Sequence, residues 1–140
     1  MEKNIAPVIT KYLDELSKIN ESVKAHQRAL EEYSSEYENV KQYENDTNIA
    51  LKSVVRNIRR KVESEKTQYA QALSKYHTLM DTFLTLNVFL TEDEYNVFKH
   101  RYLETMTFQE ISQKLNFSER TIYRLHNSAL EKLEDVSFLF

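Results

Sequence analysis

The stretch FQEISQKLNFSERTIYRLHNSALEKL, residues 108–133, decides how the last third of this chain folds. Counting Phe108 as position one, apolar side chains occupy positions four, eight, ten, fifteen and eighteen, which are Ile111, Leu115, Phe117, Ile122 and Leu125. The small Ser112 stands at position five, where two helices can approach closely. Position nine is Asn116, and asparagine tolerates a left-handed backbone better than most residues. This spacing predicts two helices joined by a tight turn, a helix-turn-helix.

Signals for helix starts surround this motif. Thr91 is followed three residues later by Glu94, and Thr107 by Glu110, so both pairs read as capping boxes that satisfy free backbone amides. Ser118 is placed to cap the last helix. We therefore expect helices at about 91–104, 108–115 and 119–134. The terminal VSFLF, residues 136–140, either covers the core of this segment or serves as a docking tail.

Composition sets the fold class. The 140 residues include no glycine, one proline and 29% charged residues, and β folds rich in turns need residues that accept a positive φ. An all-α protein follows, with room for a small domain and an elongated helical element. The chain has no cysteine, which excludes disulfides and thiolate metal sites and fits a cytoplasmic protein.

The sequence offers little support for a membrane protein or for an enzyme. The opening MEKNIAPVITKYLDEL lacks the apolar core of a secretory signal, and the apolar patch FLTLNVFL is far shorter than the roughly 20 residues of a spanning helix. The four histidines stand in no metal-binding spacing with carboxylates, and no glycine is available for a phosphate-cradling loop. We expect no catalytic residue, no metal, no cofactor and no membrane contact.

The N-terminal part carries two coiled-coil patterns. From Ile5 to Val40 the larger side chains recur at alternating spacings of four and three, and a second run from Leu51 to Leu86 follows the same rule. Each seam has one polar interruption. The side chains expected to form the core of the hairpin and of an oligomer are Leu16, Ile19, Val23, His26, Leu30, Ile58, Val62, Glu65, Tyr69 and Tyr76.

The two seams form either one long rod or an antiparallel hairpin. Between them lies ENDTN, residues 44–48, whose last four side chains favour caps and turns, although a continuous coiled coil can absorb the phase shift as a stutter. A turn near Asp46 brings His26 close to Glu65, so the hairpin pairs the two polar seam positions. This pair either fixes the register only or also acts as a pH switch.

Charge also favours the hairpin, because the turn sets an acidic run beside a basic one. These runs are Glu31, Glu32, Glu36 and Glu38 on the first helix and Arg56, Arg59, Arg60 and Lys61 on the second. The basic run 52–61 therefore either mates with the acidic helix or contacts phosphates. A lone hairpin leaves one side of its seams open, so we expect a homodimer or a higher homo-oligomer. The expected division is a hairpin at 1–87 for oligomerisation and a second domain at 88–140.

The run LTEDEYNVFKHRY followed by TFQEISQKLNFSERTIYRLHNSALEKL resembles region four of bacterial sigma factors, the domain that recognises the promoter −35 element. It is also similar to the small phage late-transcription regulators of the ArpU and RinA type. The likeness covers about residues 90–135, and SERTIYR with the following AL and KL is its most distinctive part. The hairpin is not part of the sigma pattern.

The resemblance implies that the last helix enters the major groove of DNA by its N-terminal end. Arg120 and Arg124 are the strongest candidates, because a guanidinium makes a two-pronged contact to guanine. The residues implied to face base edges and phosphates are Glu119, Arg120, Tyr123 and Arg124, with Thr121 and Asn127 flanking them. Phe108 and Gln109 are implied to offer backbone amides to a phosphate, and Lys114 and Arg101 to contact the DNA backbone. His100 and His126 are expected at the surface or near the DNA.

The segment differs from region four of sigma factors in two respects that bear on function. Glu119 and Tyr123 stand where sigma factors tend to be basic, and the segment after Asn87 has six basic and nine acidic residues. Because DNA affinity rests largely on neutralised phosphates, a single copy should bind weakly and need a second copy or RNA polymerase. We expect a sequence-specific transcriptional regulator, an activator of phage or mobile-element genes that acts with host RNA polymerase. The alternative is a coiled-coil interaction module, for example a polymerase-binding adaptor, that does not read DNA.

Overall fold

The computed structural model describes the backbone of residues 5–136 and the side chains from Ile9 onward. This part of the chain consists of α-helices joined by short turns and contains no strand, which confirms the all-α prediction. The helices are α1 Ile5–Val40, α2 Ile49–Thr85, α3 Glu92–Phe98, α4 Phe108–Leu115 and α5 Glu119–Glu134. A 3-10 turn follows α1 at Lys41–Tyr43, a second follows α2 at Leu86–Val88, and a π-helical turn follows α3 at Lys99–Leu103.

Helices α1 and α2 pack against each other as the predicted antiparallel hairpin, so the alternative of one continuous rod is wrong. Polar side chains make the break between them. The Asp46 carboxylate accepts a hydrogen bond from the Asn48 amide at 2.8 Å, and Asn48 Oδ1 accepts from the amides of Ala50 and Leu51 at 2.9 and 3.2 Å. Asn48 thus caps α2 by satisfying amides that its first turn leaves free.

The register of the hairpin is the predicted one. His26 Nδ1 and Glu65 Oε2 are hydrogen-bonded across the two helices, and this contact joins the two polar seam positions. Both side chains are partly buried, His26 at 27% and Glu65 at 12% exposure. A slip by one helical turn would leave each of them facing apolar neighbours, so the pair penalises other registers.

The seams differ in burial along their length. Residues Glu21–Tyr76 form one compact unit, and there Val55, Val62 and Ala72 are buried while the remaining seam positions, apart from Leu51, are half-buried. Leu51 is 36% exposed. Two helices alone bury only one side of each seam, which leaves the other side accessible.

Ion pairs between the acidic and basic runs are scarcer than the charge pattern predicts. Arg59 pairs with Glu44 at the turn, and the Lys61 ammonium lies 5.6 Å from the centre of the Tyr33 ring. In the described part of the chain, no ion pair within 4.0 Å joins the other members of the two runs, which are Glu31, Glu32, Glu36 and Glu38 on α1 and Arg56 and Arg60 on α2. The runs therefore do not neutralise each other at contact distance.

The second compact unit joins the N-terminal part of α1, up to Asn20, to the residues from His77 onward. Three polar side chains of α1 tie its parts together. Tyr12 donates to the Leu79 carbonyl at 2.6 Å, Ser17 donates to the Tyr102 carbonyl at 3.2 Å, and the buried Asn20 donates to the Leu103 carbonyl. The last two bonds satisfy carbonyls at the end of the π-helical turn, where a helix leaves acceptors free.

The predicted division at Asn87, with its oligomerising role for residues 1–87, stays a prediction. The side chain of the seam residue Ile5 lies outside the described residues. Of the terminal segment 136–140, predicted to cover the core or to serve as a docking tail, residues 137–140 also lie outside them, whereas Val136 is buried. Within residues 5–136, no helix has the length and apolar character needed to cross a membrane.

A buried carboxylate connects α3 to α5. Both halves of the predicted capping box are present, since Glu94 accepts from the Thr91 amide and Thr91 Oγ1 accepts from the Glu94 amide. The same carboxylate accepts from Ser128 at 2.6 Å and from Lys132 at 2.7 Å, and the residue is only 3% exposed. Burial raises the pKa of Glu94, but the bonds from Lys132, Ser128 and Thr91 outweigh it and lower the pKa to about 2.

Replacing Glu94 by glutamine should lower the free energy of unfolding at pH 7 by about 2 kcal/mol, because a buried charged acceptor is lost. The native pKa is below the ordinary 4.5, so the carboxylate stabilises the fold fully above that pH and loses this effect as the pH falls toward about 2. Urea unfolding across this range should show the wild type converging on Glu94→Gln. The exposed Glu92→Gln is the matched control. A difference that stayed constant from pH 7 to pH 3 would contradict the role of the charge.

Candidate nucleic-acid interface

The helix-turn-helix is built on a small apolar core. Val97 of α3, Ile111 of α4 and Ile122 of α5 are fully buried against one another. Partly buried apolar residues surround them: Met106, Phe108, Leu115, Phe117 and Leu125. Every apolar position predicted from the motif therefore lies in this cluster, and the spacing identified the helix faces correctly.

The turn between α4 and α5 has the predicted backbone. Asn116 ends α4 in the left-handed conformation, with φ 60° and ψ 37°. Besides allowing the two helices to approach closely, Ser112 makes hydrogen bonds across the turn. Its hydroxyl donates to the Phe117 carbonyl. Its own carbonyl accepts from the Asn116 amide and from the Phe117 amide, the latter at 3.2 Å. These bonds close the turn and fix the direction in which α5 leaves it.

Side-chain caps define where both helices begin. Thr107 and Glu110 form the predicted capping box at the start of α4, with bonds of 2.8 and 3.1 Å. Ser118 Oγ accepts from the Thr121 amide at 3.1 Å and also contacts the Thr121 hydroxyl at 3.0 Å. Thr121, predicted to flank the DNA contacts, is half-buried and its hydroxyl takes part in this cap.

One face of α5 presents polar side chains away from the core. Arg120, Tyr123, Arg124 and Asn127 follow the spacing i, i+3, i+4, i+7, which places them on one side of a helix, and all four are exposed. Tyr123 is 48% exposed, and Glu119 is exposed at the first position of the helix. The structure thus brings the main predicted contacts together on one surface, the α5 face.

An aromatic stack supports the α5 face. The rings of Phe108 and Tyr123 have centres 4.5 Å apart, and the Arg101 guanidinium lies 4.5 Å from the centre of the Phe108 ring. Arg101 also donates to the Met106 carbonyl at 3.0 Å and is half-buried. It was predicted as a backbone contact to DNA, and the structure gives it a role in holding Phe108 and the loop before α4.

The remaining predicted contacts lie around α4. Gln109 is exposed in its first turn, where backbone amides without intrahelical partners are found. Lys114 is 54% exposed and lies 3.6 Å from Glu104, so part of its charge is offset within the chain. Phe108, in contrast, is half-buried and can offer only its backbone amide.

Of the two histidines expected at the surface or near the DNA, His100 is buried and His126 is half-buried. His100 is buried in the π-helical turn, with Nδ1 2.7 Å from a carboxylate oxygen of Glu104. The His126 ring packs against Phe98 and Phe108 with ring centres 5.1 and 5.2 Å away, and its Nε2 lies 2.7 Å from the Tyr102 hydroxyl. Lys99 and Arg101 flank His100 in the sequence, so only the packing of the helices reveals its burial.

Burial lowers the pKa of His126, and the nearby positive charge of Arg101 acts in the same direction, while a hydrogen bond with Asn127 opposes them. A neutral imidazole can accept a hydrogen bond from the Tyr102 hydroxyl at Nε2. No cluster of three or more histidines, aspartates or glutamates able to hold a metal ion occurs among the described residues.

The family model described as sigma-70, region 4 matches residues 89–135. This confirms the predicted likeness over about residues 90–135: the segment is a helix-turn-helix like region four of sigma factors. The family of that model consists of DNA-binding regulatory domains without catalytic activity. The match does not extend to the two long helices. Comparisons with curated proteins and with solved structures found no match. The finer likeness to phage regulators of the ArpU and RinA type stays a prediction.

Asn116→Gly should leave the free energy of unfolding unchanged within about 1 kcal/mol, whereas Asn116→Val should lower it by about 1 to 2 kcal/mol. The reason is that valine carries a branched β-carbon that the left-handed backbone disfavours. Chemical denaturation measures both changes. Asn127→Val, on the exposed face of α5, is the control for valine in a helix, and equal losses for the two valine variants would show that the turn backbone is unimportant.

His126 should titrate below its ordinary pKa of 6.5 in a proton NMR titration of the imidazole signals, because the folded chain stabilises the neutral ring. Since the native pKa is the lower one, stability should decrease as the pH falls through 6.5. Tyr102→Phe removes the donor at Nε2 and should raise the pKa of His126 part of the way back. A pKa of 6.5 or above in the wild type would contradict the burial argument.

Proposed function

We propose that the protein is a transcriptional regulator that binds promoter DNA through the α5 face. In this proposal the N-terminal half of α5 enters the major groove, Arg120 and Arg124 contact guanine edges, and Tyr123 packs against the bases or the sugar-phosphate backbone. Glu119 and Asn127 flank these contacts, and the first turn of α4 offers amides to a phosphate. The proposed targets are promoters of phage or mobile-element genes, which the protein activates with host RNA polymerase in the cytoplasm.

The observation that carries this proposal is the α5 face itself. Two arginines, a tyrosine and an asparagine share one exposed surface on a helix whose other side packs against α3 and α4 through the fully buried Ile122. Neither Arg120 nor Arg124 has an ion pair within 4.0 Å in the described part of the chain, so both guanidinium groups are available to a ligand. The family match over the same residues supports the same use.

The electrostatics explain why one copy alone should bind weakly. The chain has a formal net charge of −3, and within the α5 face two cations stand beside Glu119. Each neutralised phosphate adds to affinity and to its salt dependence, and few cations are available here. We therefore propose that the protein binds as a homodimer or with RNA polymerase, which multiply the contacts. The alternative is an interaction module that binds polymerase without reading DNA.

The first test is selection of bound fragments from the source genome by the purified protein at stated low and moderate salt. The wild type should enrich a shared sequence, and Arg120→Ala/Arg124→Ala should lose it, with affinity for the selected site falling about 100-fold. Lys18→Ala/Lys75→Ala, which removes the same charge from exposed positions elsewhere, is the control and should bind nearly as well as the wild type.

The interaction-module alternative gives a different result. If no sequence is enriched with or without RNA polymerase, and polymerase is bound equally by the wild type and by Arg120→Ala/Arg124→Ala, the DNA-reading function fails. Equal loss of binding in the two double variants would show that only net charge matters, which contradicts specific contacts from the α5 face.

A further inference from the structure

An open groove lies beside the turn of the helical hairpin, within residues 21–76. It encloses about 260 Å³ and is lined by Glu44, Asn45, Lys52, Val55, Arg56 and Arg59. We call it the basic groove. Val55 is 1% exposed and forms an apolar floor, while Lys52 and Arg56 are exposed at its edge. The groove therefore combines an apolar base with cationic walls.

The charge of the basic groove is not balanced within the chain. Its lining holds three cations and one carboxylate, and that carboxylate, Glu44, already pairs with Arg59. Lys52 and Arg56 form no ion pair within 4.0 Å in the described part of the chain. They are one helical turn apart, so they present two positive charges on the same side of α2.

The chain also carries a matching acidic surface. Glu32 and Glu36 are one turn apart on α1, both are exposed, and neither forms an ion pair within 4.0 Å among the described residues. They have the same i, i+4 spacing as Lys52 and Arg56 but the opposite sign. The hairpin thus displays two complementary charge pairs that are not used within one copy.

Apolar exposure indicates what kind of partner fits beside the basic groove. Ile49 is 79% exposed and Val54 45% exposed in the first turns of α2, and the seams of this unit are half-buried. A phosphate backbone would satisfy the cations but leave these apolar surfaces in water. A helical partner with both apolar and acidic residues covers both, which is the composition of α1 itself.

We propose that the basic groove receives the Glu32 and Glu36 surface of a second copy of this chain. The contact is reciprocal, because two-fold symmetry places the basic groove of the second copy on the acidic surface of the first. It brings the half-open seams of two hairpins together in a four-helix arrangement. This inference deepens the proposed homodimer by assigning its contact surface, and it does not depend on DNA binding.

The test is a charge swap between two full-length variants, followed by analytical ultracentrifugation at low and high salt. Lys52→Glu/Arg56→Glu and Glu32→Lys/Glu36→Lys should each dissociate at least about tenfold more readily than the wild-type dimer, because like charges then face each other. Mixing the two variants should restore a dimer that contains one copy of each. Circular dichroism should show unchanged helix content, because neither pair makes an ion pair inside the chain.

The matched control is Lys11→Glu/Lys75→Glu, which makes the same charge change at exposed positions outside the basic groove and should remain dimeric. The inference is overturned if the wild type is monomeric, if Lys52→Glu/Arg56→Glu dimerises like the wild type, or if mixing fails to restore association. A monomer whose Lys52→Glu/Arg56→Glu variant loses non-specific DNA affinity would identify the basic groove as a phosphate contact instead. If the wild type is monomeric and still enriches a specific DNA sequence, the dimer contact is contradicted and the proposed DNA-binding function is supported.

Discussion

The buried carboxylate of Glu94 is the interaction on which the helix-turn-helix depends. One side chain satisfies the free amide at the start of α3 and accepts bonds from Ser128 and Lys132 on the far part of α5. If this carboxylate were unpaired, its burial would be strongly unfavourable, so α3 and α5 must keep the relative position that supplies its donors. The orientation of the α5 face is thus tied to the buried charge that links α3 to α5.

The absence of glycine makes the turns depend on side chains. Asn116 takes the left-handed backbone at the helix-turn-helix, and Asn48 and Asp46 cap and close the turn of the hairpin. Thr105 also has a positive φ of 53°, a conformation that a β-branched residue disfavours, in the loop that leads into α4. Loops built in this way have fewer accessible backbone states than glycine loops, which suits a motif whose two helices must keep a fixed angle.

Local patterns in the sequence predicted most of the fold. The heptads predicted the seams, and the pairing of His26 with Glu65 predicted the register. The caps at Thr91, Thr107 and Ser118 predicted the helix starts. Each of these features depends on residues at a fixed spacing in the sequence or on the position of a single turn. The π-helical turn at Lys99–Leu103 replaced the end of a predicted helix, and no local signal marks it. The sequence also showed which side of α5 is polar, since burial follows the 3.6-residue period.

What sequence reasoning missed are contacts between residues far apart in the chain. Glu94 was predicted only as a capping residue, although its bond to Lys132 spans 38 positions, and the contacts of His126 with Phe98 and Tyr102 were not predicted. Charge gave the least reliable guide: opposite signs on α1 and α2 predicted ion pairs within the hairpin, whereas long exposed side chains gain little from such pairs.

The scarcity of ion pairs within the hairpin also bears on the proposed function. A regulator with few cations on its reading helix needs a second set of contacts, and unused charges on the hairpin are one means of obtaining it, because they can be satisfied by another copy. In the proposed function, net acidity limits non-specific binding to DNA by a single copy, whereas the contacts proposed for Arg120 and Arg124 do not depend on net charge. On this view the hairpin sets how many α5 faces reach the DNA, and the α5 face sets which sequence they select.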